Sequence, residues 1–261
     1  MLGTPSRTYI PMADKQHPHN PEVVMPYDNT ECKSTQVRRM FDNIAPTYDR
    51  MNRLMTFGLD KGWRRKAMKM LGTYTPKSIL DVATGTGDLP FLMHKMLLPD
   101  SITGIDLSEG MLDIARRKCA ERNLQHRITF EQQDCLALTF PDDSFDAVTV
   151  SFGVRNFQQL RKGFAEMYRV LCPGGVLMVI ELSTPEHFPF DLFYRIYTRN
   201  LIPLAGRLFT RDKYAYTYLP RSVEAVPQGE EMLSIFRECG FRDCRLRRLT
   251  FGVCSIYIGH K

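Results

Sequence analysis

Three acids stand where apolar runs end: Asp81 in SILDV, Asp106 at the close of ITGID, and Asp134 just past ITFEQQ. Between the first two lies ATGTGD, a glycine turn that bares backbone at Gly85 and Gly87 to a ligand. Asp106 falls nineteen residues beyond Gly87, the spacing of an acid that accepts from ribose hydroxyls. Asp134, with Cys135 beside it, is placed to hold an adenine amino group, and Ser151 closes a fourth apolar run near the reacting centre. The chemistry these residues suit is capture of a nucleoside. Structural alternatives stay open: the glycines as a plain tight turn, Asp106 as a helix cap, Asp134 as a solvated loop acid.

The turn argues against a dinucleotide. Pyrophosphate needs GxGxxG and a helix N-terminus free of negative charge. Here Pro90 takes the third glycine position and Asp88 puts a carboxylate where phosphates would sit. An acid there stabilises the helix by about 0.3–1 kcal/mol but repels phosphate. S-adenosylmethionine carries no phosphate, and its sulfonium and ammonium are cationic. Asp81 and Asp88 are the expected partners of that positive end, directly or through water.

These residues need a sheet to hold them. Apolar runs at 78–82, 102–105, 128–132, 145–152 and 176–180 read as strands, alternating with helices from about Leu89, from Ser108 to Ala120, and from Leu160 to Leu171. The last helix stops at Cys172-Pro173-Gly174-Gly175. Such alternation predicts an α/β fold with a mostly parallel, doubly wound sheet and helices on both faces. A final helix at 232–239 precedes two hairpin-like strands at 242–250 and 254–259, an arrangement similar to class I methyltransferases.

Ahead of the sheet, residues 34–72 read as a helical cap broken at Pro46, with Val37, Met40, Phe41 and Ile44 at helical spacing, then Trp63, Ala67, Met70 and Leu71. Residues 1–33, rich in Pro, Asn and His, predict a disordered tail, with Met12 to Asp14 as the expected translation start. Residues 185–228 break the strand–helix rhythm. There Phe190, Phe193, Tyr194, Tyr197, Leu201, Leu204 and Leu208 form an apolar stripe, with Arg195, Arg199, Arg207 and Arg211 interspersed. The segment reads either as a helix covering the sheet or as a lid that touches a membrane surface.

Composition excludes several classes. The 261 residues suffice for a full core. The seven cysteines stand singly, which argues against disulfides or a zinc site and for a reducing, cytoplasmic compartment. The six histidines are scattered, so no metal site or Ser-His-Asp constellation is expected. A net charge of +6 is spread along the chain without a basic block, which disfavours nucleic acid. No run is long enough to span a bilayer.

Three blocks carry a resemblance over residues 35–261. They are FDNIAPTYDRMNRLMTFGLDKGWRR (41–65), DVATGTGDL, and FDAVTVSFGVRNF with YRVLCPGGVLMVIELSTP. In them the chain resembles the UbiE/MenG family of quinone C-methyltransferases. The resemblance implies a Rossmann-like class I fold with a seven-stranded sheet. It also implies methylation of a ring carbon in a prenylated demethylmenaquinol, or in the equivalent ubiquinol precursor, with S-adenosylmethionine as cofactor. Thr86, Asp106, Asp134 with Cys135, and Ser151 match the family's cofactor-contacting positions. The chain departs from the family at Asp60 (usually His), Thr56 (Ser), Cys172 (commonly Lys), Ala83 (a glycine of the general methyltransferase pattern) and Arg221 (commonly acidic).

A quinol carbon turns nucleophilic when its neighbouring hydroxyl ionises, so the site must favour a phenolate and aim its ortho carbon at the methyl group. Arg155, directly after SFGV, is the expected catalytic residue: always protonated, it would stabilise the oxyanion or orient a water. Asn156 would fix a ring oxygen, and Tyr48 and Asp49 would close the substrate pocket or relay a proton. Expected partners are the quinol and the inner face of a membrane; a homodimer stays open. Rival readings are a nucleotide-dependent oxidoreductase, a methyltransferase for another small molecule, a non-catalytic subunit, and a nucleic-acid methyltransferase. For the last, SFGVRN lacks the Pro-Pro-Tyr type of turn that grips a flipped base.

Overall fold

The computed structural model describes residues 20–27, 30–198 and 213–261. The cap begins with α1 (Lys33–Ile44), which buries Val37, Met40 and Ile44. Pro46 ends it in a 3-10 turn, and α2 (Tyr48–Met55) follows. Gly58, at φ +74, takes the left-handed conformation that turns the chain into α3 (Leu59–Leu71). Along α3 the buried positions are Trp63, Ala67, Met68 and Leu71. Met68 thus takes the inner position that spacing gave to Met70, which is half-exposed.

Seven strands form the sheet: β1 (Ser78–Val82), β2 (Ser101–Asp106), β3 (Ile128–Gln132), β4 (Phe145–Ser151), β5 (Leu171–Leu182), β6 (Arg242–Leu249) and β7 (Cys254–His260). Their order is β3-β2-β1-β4-β5-β7-β6. The first five run parallel, and β7 enters antiparallel between β5 and β6. The strand order reverses at β1, between β2 and β4, and a crevice opens there at the carboxyl ends. Helices α4 (Asp88–Leu97), α5 (Glu109–Glu121) and α6 (Leu160–Val170) make the crossovers. The Cys172-Pro173-Gly174-Gly175 stretch does stop α6, but it also belongs to β5, whose pairing with β4 shifts register between Phe145 and Ala147.

Both faces of the sheet are dry at its centre, as parallel strands require, while the edge strands β3 and β6 are partly exposed. Leu80, Val148, Val150 and Leu177 pack with Phe164 and Phe236 on one face. Ile79, Ala147, Met178 and Ile256 pack with Ala67, Met68, Leu71 and Met93 on the other. Each large side chain so buried contributes about 1.5–3 kcal/mol. The cap is tied on by polar contacts too: Ser108 Oγ caps α5 by accepting from Met111 N, and itself donates to Asp42 of α1 at 2.6 Å.

Between β5 and β6 come α7 (Phe190–Ile196), α8 (Lys213–Ala225) and α9 (Glu230–Glu238). The expected stripe positions Leu201, Leu204 and Leu208, Arg199, Arg207 and Arg211, and the Arg195 side chain lie outside the described residues, as do residues 1–19.

The final part of the span read as a disordered tail instead makes specific contacts. Residues 20–27 and 30–32 form a strap whose Glu22 accepts from Leu160 N at 3.1 Å. Lys33 anchors it: Nζ, almost wholly buried, donates to the carbonyls of Pro21 (2.6 Å) and Arg155 (3.1 Å). Its polar and Pro-rich composition concealed this, because Leu160 and Arg155, which hold it to the domain, lie more than a hundred residues away. Burial lowers the Lys33 pKa to about 7 from 10.5. Between those values the unfolded chain binds more protons than the folded one, so stability climbs as pH rises. Urea midpoints at pH 7 and pH 9 should show this gain in the wild type, and Lys33→Met should lack it.

Candidate active site

Three clefts meet at the crevice. One, of about 760 Å³, has Val82, Gly85, Asp106, Asp134, Cys135 and Ser151 in its walls. A second, of about 1260 Å³, is apolar, with Trp63, Phe152, Tyr194, Tyr197 and Phe251 around Arg155. A third, of about 340 Å³, lies at the glycine turn between Asp49, Asp81, Thr86 and Ser151. Tyr48 borders all three, and Phe152 separates the first two.

Local backbone explains the geometry of the turn. Gly85 sits at φ +57, and a Cβ there would meet only the Tyr48 ring, at 3.9 Å, so its surface is open to a ligand. Gly87 (φ +80) instead serves packing: a Cβ would press on Phe130 and Phe91 at 3.0 Å, and the residue lies outside the walls of the three clefts. Ala83 also has a positive φ, +54, where the general pattern has glycine. Its methyl is accommodated by Gly153, where any Cβ would come within 2.6 Å of it.

Asp106 holds the turn to β2. One of its oxygens accepts from Gly85 N at 2.8 Å and the other from Ser108 N at 2.9 Å. Burial still pushes its pKa upward. Asp81 is deeper; its oxygens accept from Thr84 (2.7 Å) and Thr149 (2.6 Å), and burial pushes its pKa up to about 6. Asp134 accepts from Leu136 N at 2.9 Å. Beside it, burial pushes the Cys135 thiol well up, keeping it protonated.

Asp49 lies at the glycine turn rather than in the apolar cavity. It accepts from Thr86 Oγ1 and from Lys118, each at 2.6 Å. Lys118 also reaches Asp88 at 3.0 Å, with Arg64 at 3.9 Å. Burial works against the Asp88 charge, but Lys118 holds its carboxyl below the ordinary range. The acid that was to repel phosphate is therefore already paired.

Arg155 is buried in the wall of the apolar cavity, on the 3-10 turn Val154–Asn156. Its Nη1 donates to Glu181 at 2.7 Å and to the Phe152 carbonyl. Burial opposes its charge, yet Glu181 holds its pKa above the ordinary value. Nε is buried with no acceptor among the described residues. Asn156, expected at the substrate, instead borders the first cleft and lies outside the walls of the apolar cavity; it accepts from the Tyr218 hydroxyl at 3.1 Å, and burial raises the Tyr48, Tyr194 and Tyr218 hydroxyls so that all three stay neutral.

Sequence reasoning passed over Arg64, Lys118, Trp63, Phe152 and Glu181. Arg64 pairs with Asp60 at 2.8 Å and lies over the Phe152 ring at 5.3 Å. Asp60 also accepts from Thr56 at 2.9 Å, so two of the departures from the family touch each other and together hold Arg64. The Trp-Arg-Arg run at 63–65 was the available signal for Arg64. Lys118 gave none, being one cation among several on α5.

The first cleft fits S-adenosylmethionine. An acid closes β2, the turn is open at Gly85, and Val82, Ile105, Leu136 and Phe157 give a flat apolar slot for a base. Among the described residues no cluster of three or more His, Cys, Asp or Glu could hold a metal ion. Sheet order, crevice and cleft together define a class I S-adenosylmethionine-dependent methyltransferase.

The profile of the ubiE/COQ5 methyltransferase family matches residues 29–261, and the chain belongs to that family. It is 47% identical over 240 residues to the demethylmenaquinone methyltransferase of Bacteroides fragilis, covering 92% of this chain and 98% of that one. It is 44% identical over 230 residues to the ubiquinone/menaquinone biosynthesis C-methyltransferase UbiE of Geobacter sulfurreducens, covering 88% and 90%. A solved S-adenosylmethionine-dependent methyltransferase from Aquifex aeolicus shares the fold, with a TM-score of 0.54 at 19% identity over 74% of this chain and 88% of that one.

Proposed function

We propose that this protein methylates a ring carbon of a prenylated demethylmenaquinol. The observation that carries the reading is the meeting of a nucleoside cleft and a large apolar cavity at Tyr48 and Phe152, with the buried Arg155 guanidinium in the cavity wall. The apolar cavity suits a fused ring and the start of its prenyl chain; the guanidinium suits its oxygen. Names of relatives support the same chemistry, and the Geobacter relative's name also admits a benzoquinol.

In this reading Asp106 accepts from the ribose, Asp134 and Cys135 border the adenine, and Gly85, Thr86 and Gly87 shape the turn. Asp81 and Ser151 lie under the methionyl end. S-adenosylmethionine supplies a methyl group on a cationic sulfur. Arg155 stabilises the ionised ring oxygen, Tyr48 closes the passage between the clefts, and Asn156, which borders the nucleoside cleft, holds the Tyr218 hydroxyl. Asp49 serves the turn through Thr86 and Lys118. The apolar walls exclude water, which strengthens the guanidinium's hold on the oxyanion. Incubation with labelled S-adenosylmethionine and a panel of demethylated naphthoquinols and benzoquinols tests this. Label should enter the naphthoquinol ring carbon; a preference for benzoquinol, or no transfer to either, counts against it.

The same reading places the cavity mouth on a membrane. Phe57, Leu59, Phe190, Phe193 and Phe251 line the cavity yet are 37–77% exposed, and Arg53, Lys61, Arg65, Lys95 and Arg122 border a neighbouring groove. No helix among the described residues is long and apolar enough to cross a membrane, so contact would be peripheral. A basic residue near an anionic surface contributes about 1 kcal/mol, so Lys61→Glu with Lys95→Glu should weaken partitioning onto anionic vesicles by at least ~30-fold. Unchanged flotation of the double variant would remove this face from the proposal.

A further inference from the structure

Glu181 is almost wholly buried at the carboxyl end of β5 and lies outside the walls of all three clefts. Even so, it grips Arg155 from two sides. Oε1 accepts from Arg155 Nη1 at 2.7 Å, and Oε2 accepts from the Arg155 backbone N–H at 3.3 Å. The carboxylate is itself oriented by the strand, since Oε1 also accepts from Leu182 N at 2.9 Å.

We infer that Glu181 is the positioning residue that fixes which edge of the Arg155 guanidinium meets the substrate oxygen. The inference rests on the reading of Arg155 as the group that meets that oxygen. A guanidinium is planar, so holding Nη1 between Glu181 and the Phe152 carbonyl fixes the whole fork. The N–H groups left over are those of Nη2 and Nε. Among them Nε is buried and donates to no protein acceptor among the described residues. A buried donor of this kind is costly unless a ligand supplies the acceptor.

Charge points the same way. Glu181 keeps the Arg155 guanidinium protonated against burial, so the cation that meets an ionised ring oxygen is held in one place. Among the described residues, Tyr48, Tyr194 and Tyr218 interact with Arg155 and burial keeps them neutral, while Lys33 donates to its carbonyl.

Glu181→Asp keeps the charge and shortens the reach by one methylene, so it tests position rather than charge. Its kcat should fall about a hundredfold, the size expected of a misplacement near 1 Å. Affinity for adenosylhomocysteine, measured by calorimetry, should stay within about twofold. Bound 1-naphthol, a redox-stable phenol read by its absorbance, should ionise at a higher pH than in the wild type.

In an Arg155→Ala background the Asp substitution should cost nothing further, within about twofold, because its effect travels only through the arginine. Should the Asp variant not fold, Glu181→Gln is read in the same cycle, and the kcat and calorimetric outcomes decide. Wild-type kcat in the Glu181 variant overturns the inference, as does an equal further loss in the Arg155→Ala background or a matching loss of cofactor affinity. If Arg155→Ala itself keeps full turnover, the reading of Arg155 fails, and the positioning role fails with it. If Arg155→Ala is inactive while Glu181→Asp is normal, only the positioning role fails.

Discussion

Asp106→Ala is expected to weaken adenosylhomocysteine binding by about a hundredfold or more in calorimetry. The carboxylate does two things at once. It accepts from Gly85 N and Ser108 N, which fixes the open face of the glycine turn and the start of α5. In the proposed site it also accepts from the ribose. A hydrogen bond to a charged group contributes about 1.5–3 kcal/mol, and losing two at the lower figure already reaches about 3 kcal/mol, or roughly a hundredfold. Asp106→Asn keeps a carbonyl oxygen of the same reach and should lose only about tenfold. Wild-type affinity in the alanine variant would separate Asp106 from the cofactor and leave it a structural cap.

Arg155→Ala should leave adenosylhomocysteine affinity unchanged while kcat falls by about 10²–10³-fold, the loss typical of removing one oxyanion donor. A second effect comes from the same geometry. Glu181 would be left as a buried carboxylate without its cation, and breaking such a pair costs about 3–5 kcal/mol of stability. Urea unfolding should therefore show a lower midpoint in a protein that still binds cofactor. Arg155→Lys keeps the charge but loses the planar fork, so it should recover stability better than turnover. Full turnover in Arg155→Ala would remove the residue from the mechanism.

The glycine turn and Asp106 were legible because their signals are local. An apolar run of period suited to a buried strand, two glycines, and an acid after one crossover are all written within thirty residues of chain. The start of the next helix at Ser108 was readable for the same reason, and the Ser108 hydroxyl caps α5. The central strands followed from their near-continuous apolarity, which a sheet dry on both faces demands. Asp88 shows where such reading ends. Its charge was read as unsuited to phosphate, but Lys118, thirty residues on, pairs with it. Nothing in the spacing marks that lysine out from the other cations of α5.

Sequence alone thus determined the alternating α/β architecture, the family, and the acids at the strand ends, because each rests on periodicity or on contiguous motifs. Only the tertiary structure decided the entry of β7 between β5 and β6, the anchoring of the strap by Lys33, the placement of Asp49 at the turn, and the hold of Glu181 on Arg155. These depend on which distant groups must share buried space and neutralise one another's charge or hydrogen-bonding capacity, and chain order does not encode that directly.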